Sequence, residues 1–135
     1  MAATRREEVS GLRPHRLQGK AAVITGGSSG IGKATCEALV ALGAKVVIAD
    51  ILVEAGAALV HQLNRNEKNA VFELCDVTKP QDIRSAVDAC LREFGTFDIM
   101  FNNAGVALEA PFGFPFHTTS SVWRKLLDIN LTGMY

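Results

Sequence analysis

The chain lacks a surplus of charge, a long apolar run and a rich supply of cysteine, and each shortage closes off a class of function. Fourteen Lys and Arg residues balance fourteen Asp and Glu residues among 135, so no whole-chain field draws the protein to nucleic acid or to anionic lipid. No stretch reaches the roughly eighteen apolar residues that a membrane span needs, and the opening MAATRREEVSGLRPHR has no hydrophobic region for secretion. Its arginines could suggest an organelle address, but Glu7 and Glu8 argue against one, and residues 1–16 are expected to be a flexible polar terminus. The three cysteines, Cys36, Cys75 and Cys90, are odd in number, widely spaced and set among apolar residues. They read as reduced core thiols, with no disulfide frame and no metal site, which predicts a reducing compartment and a cytoplasmic location.

What is present is an alternation of short apolar runs with helical patterns over residues 17–135. AAVIT (Ala21 to Thr25), KVVIA (Lys45 to Ala49), AVFEL (Ala70 to Leu74) and FDIMF (Phe97 to Phe101) read as strands. Between them, Ile31, Thr35, Ala38 and Leu42 fall on one face of a helix that Gly43 ends, and a weaker helical stretch runs from about Val53 to Asn64. Pro80 opens a third helix with the stripe Ile83, Val87, Cys90 and Phe94, closed by Gly95, and a last helix starts near Ser120 and runs to Tyr135. Such βαβ units predict an α/β fold, a doubly wound parallel sheet with helices on both faces. Ligands of these sheets sit outside the carboxyl ends of the strands. GGSSG, Asp50, Asp76 and NNAG all fall at such ends.

TGGSSGIGKAT (Thr25 to Thr35) admits two phosphate-binding readings. A nucleoside-triphosphate loop needs Ser or Thr directly after the lysine, to ligate magnesium. Ala34 stands there instead, and Thr35 is displaced by about 100° around the helix. A dinucleotide cradle needs glycines at a tight turn, a helix N-terminus aimed at the pyrophosphate, and an acid after the second strand. Gly26, Gly30, Gly32, the helix from Ile31, and Asp50 meet all three conditions.

With CDV at 75–77, NNAG at 102–105 and DINLTG at 128–133, the chain resembles the N-terminal, cofactor-binding half of the short-chain dehydrogenase/reductase (SDR) family. The fold this implies is a Rossmann-like one, incomplete at its C-terminal side, and the reaction is hydride transfer between a nicotinamide cofactor and a secondary alcohol or ketone. The resemblance implies NAD as cofactor, since the Asp50 carboxylate would take both ribose hydroxyls and repel the extra phosphate of NADP. Gly26, Ser28, Ser29, Gly30, Ile31 and Gly32 are then the cofactor-binding loop, with Ser29 where NADP-preferring relatives often carry Lys or Arg. The Asp76 carboxylate would meet the adenine amino group and the Val77 backbone the ring. Asn103, Ala104 and Gly105 would border the nicotinamide side, Asn103 also tying the fourth strand to its neighbours. Asn130 resembles the asparagine of the family's catalytic set of Asn, Ser, Tyr and Lys, which holds a water in the proton relay.

Plainer alternatives stand beside these roles. Asp50 could only cap the following helix, and Asp76 or Thr78 the helix at Pro80. Asn102 and Asn103 could serve turn chemistry, and Asn130 could be a polar packing residue. The family's Tyr-x-x-x-Lys is absent: Tyr135 is the only tyrosine and nothing follows it. Its spacing from Asn130 resembles an aromatic packing position. The chain therefore reads as a fragment that is inactive alone, or as a noncatalytic dinucleotide-binding or interaction protein. Between NNAG and the last helix, Phe112, Phe114 and Phe116 suggest either a wall for an apolar alcohol or packing against the body, and His117 reads as a surface residue. The expected partners are a small alcohol or ketone, with no nucleic acid and no metal. A homo-oligomer is expected for a complete protein.

Overall fold

The computed structural model describes residues 16–107 and 119–135. Phe112, Phe114, Phe116 and His117 lie outside the described residues, as do residues 1–15 of the N-terminal segment.

Four strands, β1 (Ala21–Thr25), β2 (Lys45–Asp50), β3 (Ala70–Leu74) and β4 (Ile99–Phe101), form one sheet in the order β3-β2-β1-β4. All three pairings are parallel; in register, Val23 faces Val47 on one side and Met100 on the other. β1 and β2 are central, so their backbone is bonded on both edges and their side chains are covered on both faces. That is why they read as continuous apolar runs rather than alternating ones.

Alternate residues of each strand feed two separate cores. Ala22, Ile24, Val46, Ile48 and Ala70 pack with Cys36 and Leu59 beneath the helices α1 (Gly30–Ala41) and α2 (Val53–Leu63). Ala21, Val23, Val47 and Ala49 pack with Cys75, Ala86 and Cys90 beneath α3 (Pro80–Phe94). The sheet is thus doubly wound with helices on both faces, and it ends at β4 on one side and β3 on the other. A fourth helix, α4 (Ser120–Asn130), begins where Thr119 Oγ1 accepts from the Val122 N–H, and it buries none of its residues.

Three expectations need correction. The inward face of α1 carries Gly32 and Cys36, with Leu39 and Val40 packed against the core, and not the line Ile31, Thr35, Ala38, Leu42. Ile31 is 74% exposed; an apolar residue at spacing i, i+4 marked the wrong face because it serves the cleft described below. β4 begins at Ile99 and not at Phe97, since the Asp98 side chain, not a strand partner, takes the Ala21 N–H at 3.0 Å. The last helix stops at Asn130, and a 3-10 turn follows at Thr132–Met134.

Candidate functional site

At the end of β1 the buried Thr25 hands the chain to a loop that turns at Gly26, where φ is +63°. The first turn of α1 then presses back on that loop. A Cβ on Gly32 would lie 2.1 Å from the Gly26 carbonyl oxygen, so no larger residue fits. The close approach aims the helix N-terminus out of the carboxyl end of the sheet. No acidic residue stands in the first turn of α1, and Ser29, its N-cap residue, makes no side-chain capping bond. The unpaired N–H groups of a helix start and the positive end of its dipole are therefore available to an anion.

Asp50, at the end of β2, is only 6% exposed. Its Oδ2 accepts from the Ser28 N–H at 2.9 Å and its Oδ1 from the Leu52 N–H at 3.0 Å. Two backbone donors fix the plane of the carboxylate, and each oxygen keeps a further lone pair. The carboxylate spans the loop and the approach to α2 rather than capping that helix, whose N-cap residue is Leu52. Ser28 contributes this N–H while its hydroxyl is buried without a partner among the described residues.

After β3, Asp76 Oδ1 accepts from both the Thr78 hydroxyl, at 2.7 Å, and the Thr78 N–H. These bonds, the hydroxyl first, with Lys79 nearby, hold the Asp76 carboxyl below the usual range. Neither Asp76 nor Thr78 caps α3. Its N-cap residue is Lys79, and Asp82 in the first turn reaches back to accept from the Asp76 N–H at 3.0 Å. Cys75 is buried, and burial, with Asp82 and Asp76 adding to it, pushes its thiol up to about 11. It stays a neutral, protonated wall.

Beyond β4, Thr25 Oγ1 accepts from the N–H groups of both Asn103 and Ala104 at 3.1 Å. Asn103 Nδ2 donates to the carbonyls of Thr25 and Gly26 at 3.0 and 3.2 Å, which fastens the end of β4 to the end of β1. Asn130, the last residue of α4, closes a two-point clamp. Its Oδ1 accepts from the Val106 N–H at 2.8 Å, and its Nδ2 donates to the Val106 carbonyl at 2.9 Å.

These elements enclose a cleft of about 530 Å³ at the carboxyl ends of the strands. Of the predicted cofactor-binding residues, Gly26, Ser29, Gly30, Ile31, Asp50, Asp76, Val77, Asn103, Ala104 and Gly105 all line it. Ser28 and Gly32 do not line it; they stand behind the wall and shape it. Asn130 is also off the wall, while its neighbour Ile129 is on it. Sequence reasoning missed Ile51 and Leu52, which line the cleft, and Thr25 and Asp82, which hold its walls. Thr25 had a signal, being the one polar residue in AAVIT. A wider groove of about 670 Å³ between α2 and β3, with His61 and Arg65, gathers none of the predicted residues. Among the described residues no group of His, Cys, Asp or Glu side chains could hold a metal ion.

The sequence pattern of the short chain dehydrogenases matches residues 20–135. The chain is 44% identical over 120 residues to momilactone A synthase of Oryza sativa subsp. japonica, covering 89% of this chain and 43% of that protein. It is 44% identical over 118 residues to (+)-borneol dehydrogenase 1 of Salvia officinalis, covering 87% of this chain and 44% of that one. The chain thus spans less than half the length of these relatives. Among solved structures, a short chain dehydrogenase/reductase from Burkholderia phymatum in complex with NAD superposes with a TM-score of 0.80 at 34% identity, over 87% of this chain and 41% of that one.

Proposed function

The chain belongs to the short chain dehydrogenase family, and from that membership we propose that it binds NAD in the cleft at the carboxyl ends of β1 to β4, as the cofactor-binding part of an oxidoreductase acting on a secondary alcohol or ketone. The observation that carries this reading is the pairing of a glycine cradle, where a Cβ on Gly26 or Gly32 would clash, with a buried, backbone-oriented Asp50 beside it in the same cleft. The group that fits is a pyrophosphate joined to a ribose with free hydroxyls. Nicotinamide supplies the hydride acceptor or donor when bound.

The chain's own residues do the rest by placement. The start of α1, with Ser29 and Gly30, faces the pyrophosphate. Asp50 takes the adenosine ribose hydroxyls on its remaining lone pairs, and its negative charge disfavours a 2′-phosphate, so NAD is preferred to NADP. Asp76, its carboxylate oriented by the Thr78 bonds, accepts from the adenine amino group beside Val77. Ala104 and Gly105 leave room on the nicotinamide side. Asn130 fixes the Val106 backbone, and each polar atom of its amide keeps one site for a relay water.

Hydride transfer from a carbinol also needs a base for the hydroxyl proton. The resemblance assigns that work to a Tyr-x-x-x-Lys that this sequence does not contain, so residues 17–135 alone bind the cofactor without turning it over. A noncatalytic dinucleotide-binding role follows if the chain acts by itself. The apolar alcohol implied for the substrate agrees in class with a relative named for borneol. The three free, buried cysteines suit a reducing cytoplasm. No helix among the described residues is long and apolar enough to cross a membrane. Exposed Trp123 and Leu131 on and after α4 favour pairing of subunits in a complete protein.

Calorimetric titration with NAD, NADP and magnesium–ATP tests the reading. NAD should bind at least tenfold more tightly than NADP, and Asp50→Ala should erase most of that difference. Magnesium–ATP binding in place of NAD, or no NAD binding, would sink it.

A further inference from the structure

The 3-10 turn after Asn130 sits in an unexpected place. On one side it is tied to the end of β4, where Asn102 Nδ2 donates to the Met134 carbonyl at 3.3 Å. On the other it lies against the loop after β3. A Cβ on Gly133 would stand 2.8 Å from Val77 Cγ2, 3.0 Å from Val77 Cβ and 3.1 Å from the Val77 carbonyl oxygen. Carbon atoms do not approach that closely without displacement. Val77 lines the cleft and Gly133 does not, so Val77 has the turn on one side and the cleft on the other. The turn therefore spans two walls that belong to different strands, and it follows directly on the residue that clamps Val106.

We infer that the Thr132–Met134 turn is a strut that sets the width of the adenine end of the cleft, with Gly133 as its positioning residue. The inference rests on the cofactor reading above. Gly133 is not held in the left-handed region, so its backbone places no demand on glycine; the demand comes from the space that Val77 occupies. Replacing glycine by alanine where φ is permissive ordinarily stabilises a chain by restricting its unfolded state. Here the added methyl must instead push Val77, and with it the neighbouring Asp76, toward the cleft. A larger base should suffer more from a narrowed wall than a smaller one.

The test measures binding of NAD and of nicotinamide cytosine dinucleotide, whose pyrimidine is smaller than adenine, to four proteins: wild type, Gly133→Ala, Val77→Ala and the double variant, with thermal unfolding of each. Gly133→Ala should weaken NAD by about tenfold, as overpacking predicts, and weaken the cytosine analogue by clearly less. Val77→Ala in the same chain should restore part of the NAD binding, because it removes Cγ2, the nearest of the three atoms. Equal loss for both dinucleotides, or no loss, would overturn the strut. If Gly133→Ala fails to fold, the double variant decides: recovery of folding and NAD binding supports the contact, and failure overturns it. A wild type that binds neither dinucleotide would bring down the cofactor reading itself, an outcome distinct from a strut that fails in a protein that binds NAD.

Discussion

The two halves of the sheet are held by different forces. β1 and β2 are buried at every position except Lys45, and both faces of the strands are packed. β4 is half-buried along its three residues, and α4 buries none. Beside its pairing with β1 and the packing of Ile99, Met100 and Phe101 against the cores, the β4 side is secured by polar ties: Thr25 to Asn103 and Ala104, Asn130 to Val106, and Asn102 to Met134. The cleft walls after β1 and β2 therefore stand on strands buried on both faces, while the wall after β4 is positioned in addition by hydrogen bonds to backbone. Apolar burial contributes free energy without direction, whereas these bonds fix geometry at modest net gain.

The largest expected effect lies in the buried half. Ile48→Ala, at a fully buried position of β2, should cost about 2–5 kcal/mol in denaturant unfolding. Trp123→Ser, on α4 at 52% exposure, should stay within about 0.5 kcal/mol. A comparable loss at Trp123 would show that α4 is packed and would break the comparison. Next comes the tie between the halves. Thr25→Val keeps the shape of the side chain but leaves the Asn103 and Ala104 N–H groups without their acceptor, at a cost of about 1–3 kcal/mol. A loss near zero would mean that the β4 side is held by something other than these bonds.

The smallest effect concerns the opposite end of β4. Lys20 Nζ at 2.9 Å, the Ala21 N–H and the Thr96 hydroxyl hold the Asp98 carboxyl below its usual range. A depressed folded value stabilises the fold above the unfolded pKa of about 3.9 and loses that contribution as pH falls through the lower folded value. Asp98→Asn should therefore lower stability at neutral pH slightly and make the acid limb of the stability profile shallower. Asp76 and Glu93 are shifted in the same direction, so the limb should not vanish. An unchanged acid limb would mean that the Asp98 cluster does not tie β4 to β1.

Much of the site was legible in the chain because it depends on backbone events with strict residue requirements. A left-handed turn at Gly26 and a close approach at Gly32 leave glycines at fixed spacing, and a strand ending in the cleft leaves an acid at Asp50. The misreading of α1 has the same origin. Periodicity reports that an apolar residue lies on a face, not what covers it, and Ile31 lines the cleft rather than the core. The role of Thr25 was hidden because it acts on a neighbour in space, Asn103, 78 residues away.

Order along the chain determined the parallel α/β architecture, since right-handed crossovers leave few ways to stack these strands. It also carries the motifs on which the proposed cofactor reading rests, since Ala34 lacks the hydroxyl a triphosphate loop needs and Asp50 stands after the second strand. Only the tertiary structure decided which residues stand on the cleft wall and which stand behind it, how Asn130 spends its amide, and why Gly133 must lack a side chain. Those outcomes depend on distances between segments far apart in the chain, which packing fixes and local sequence does not.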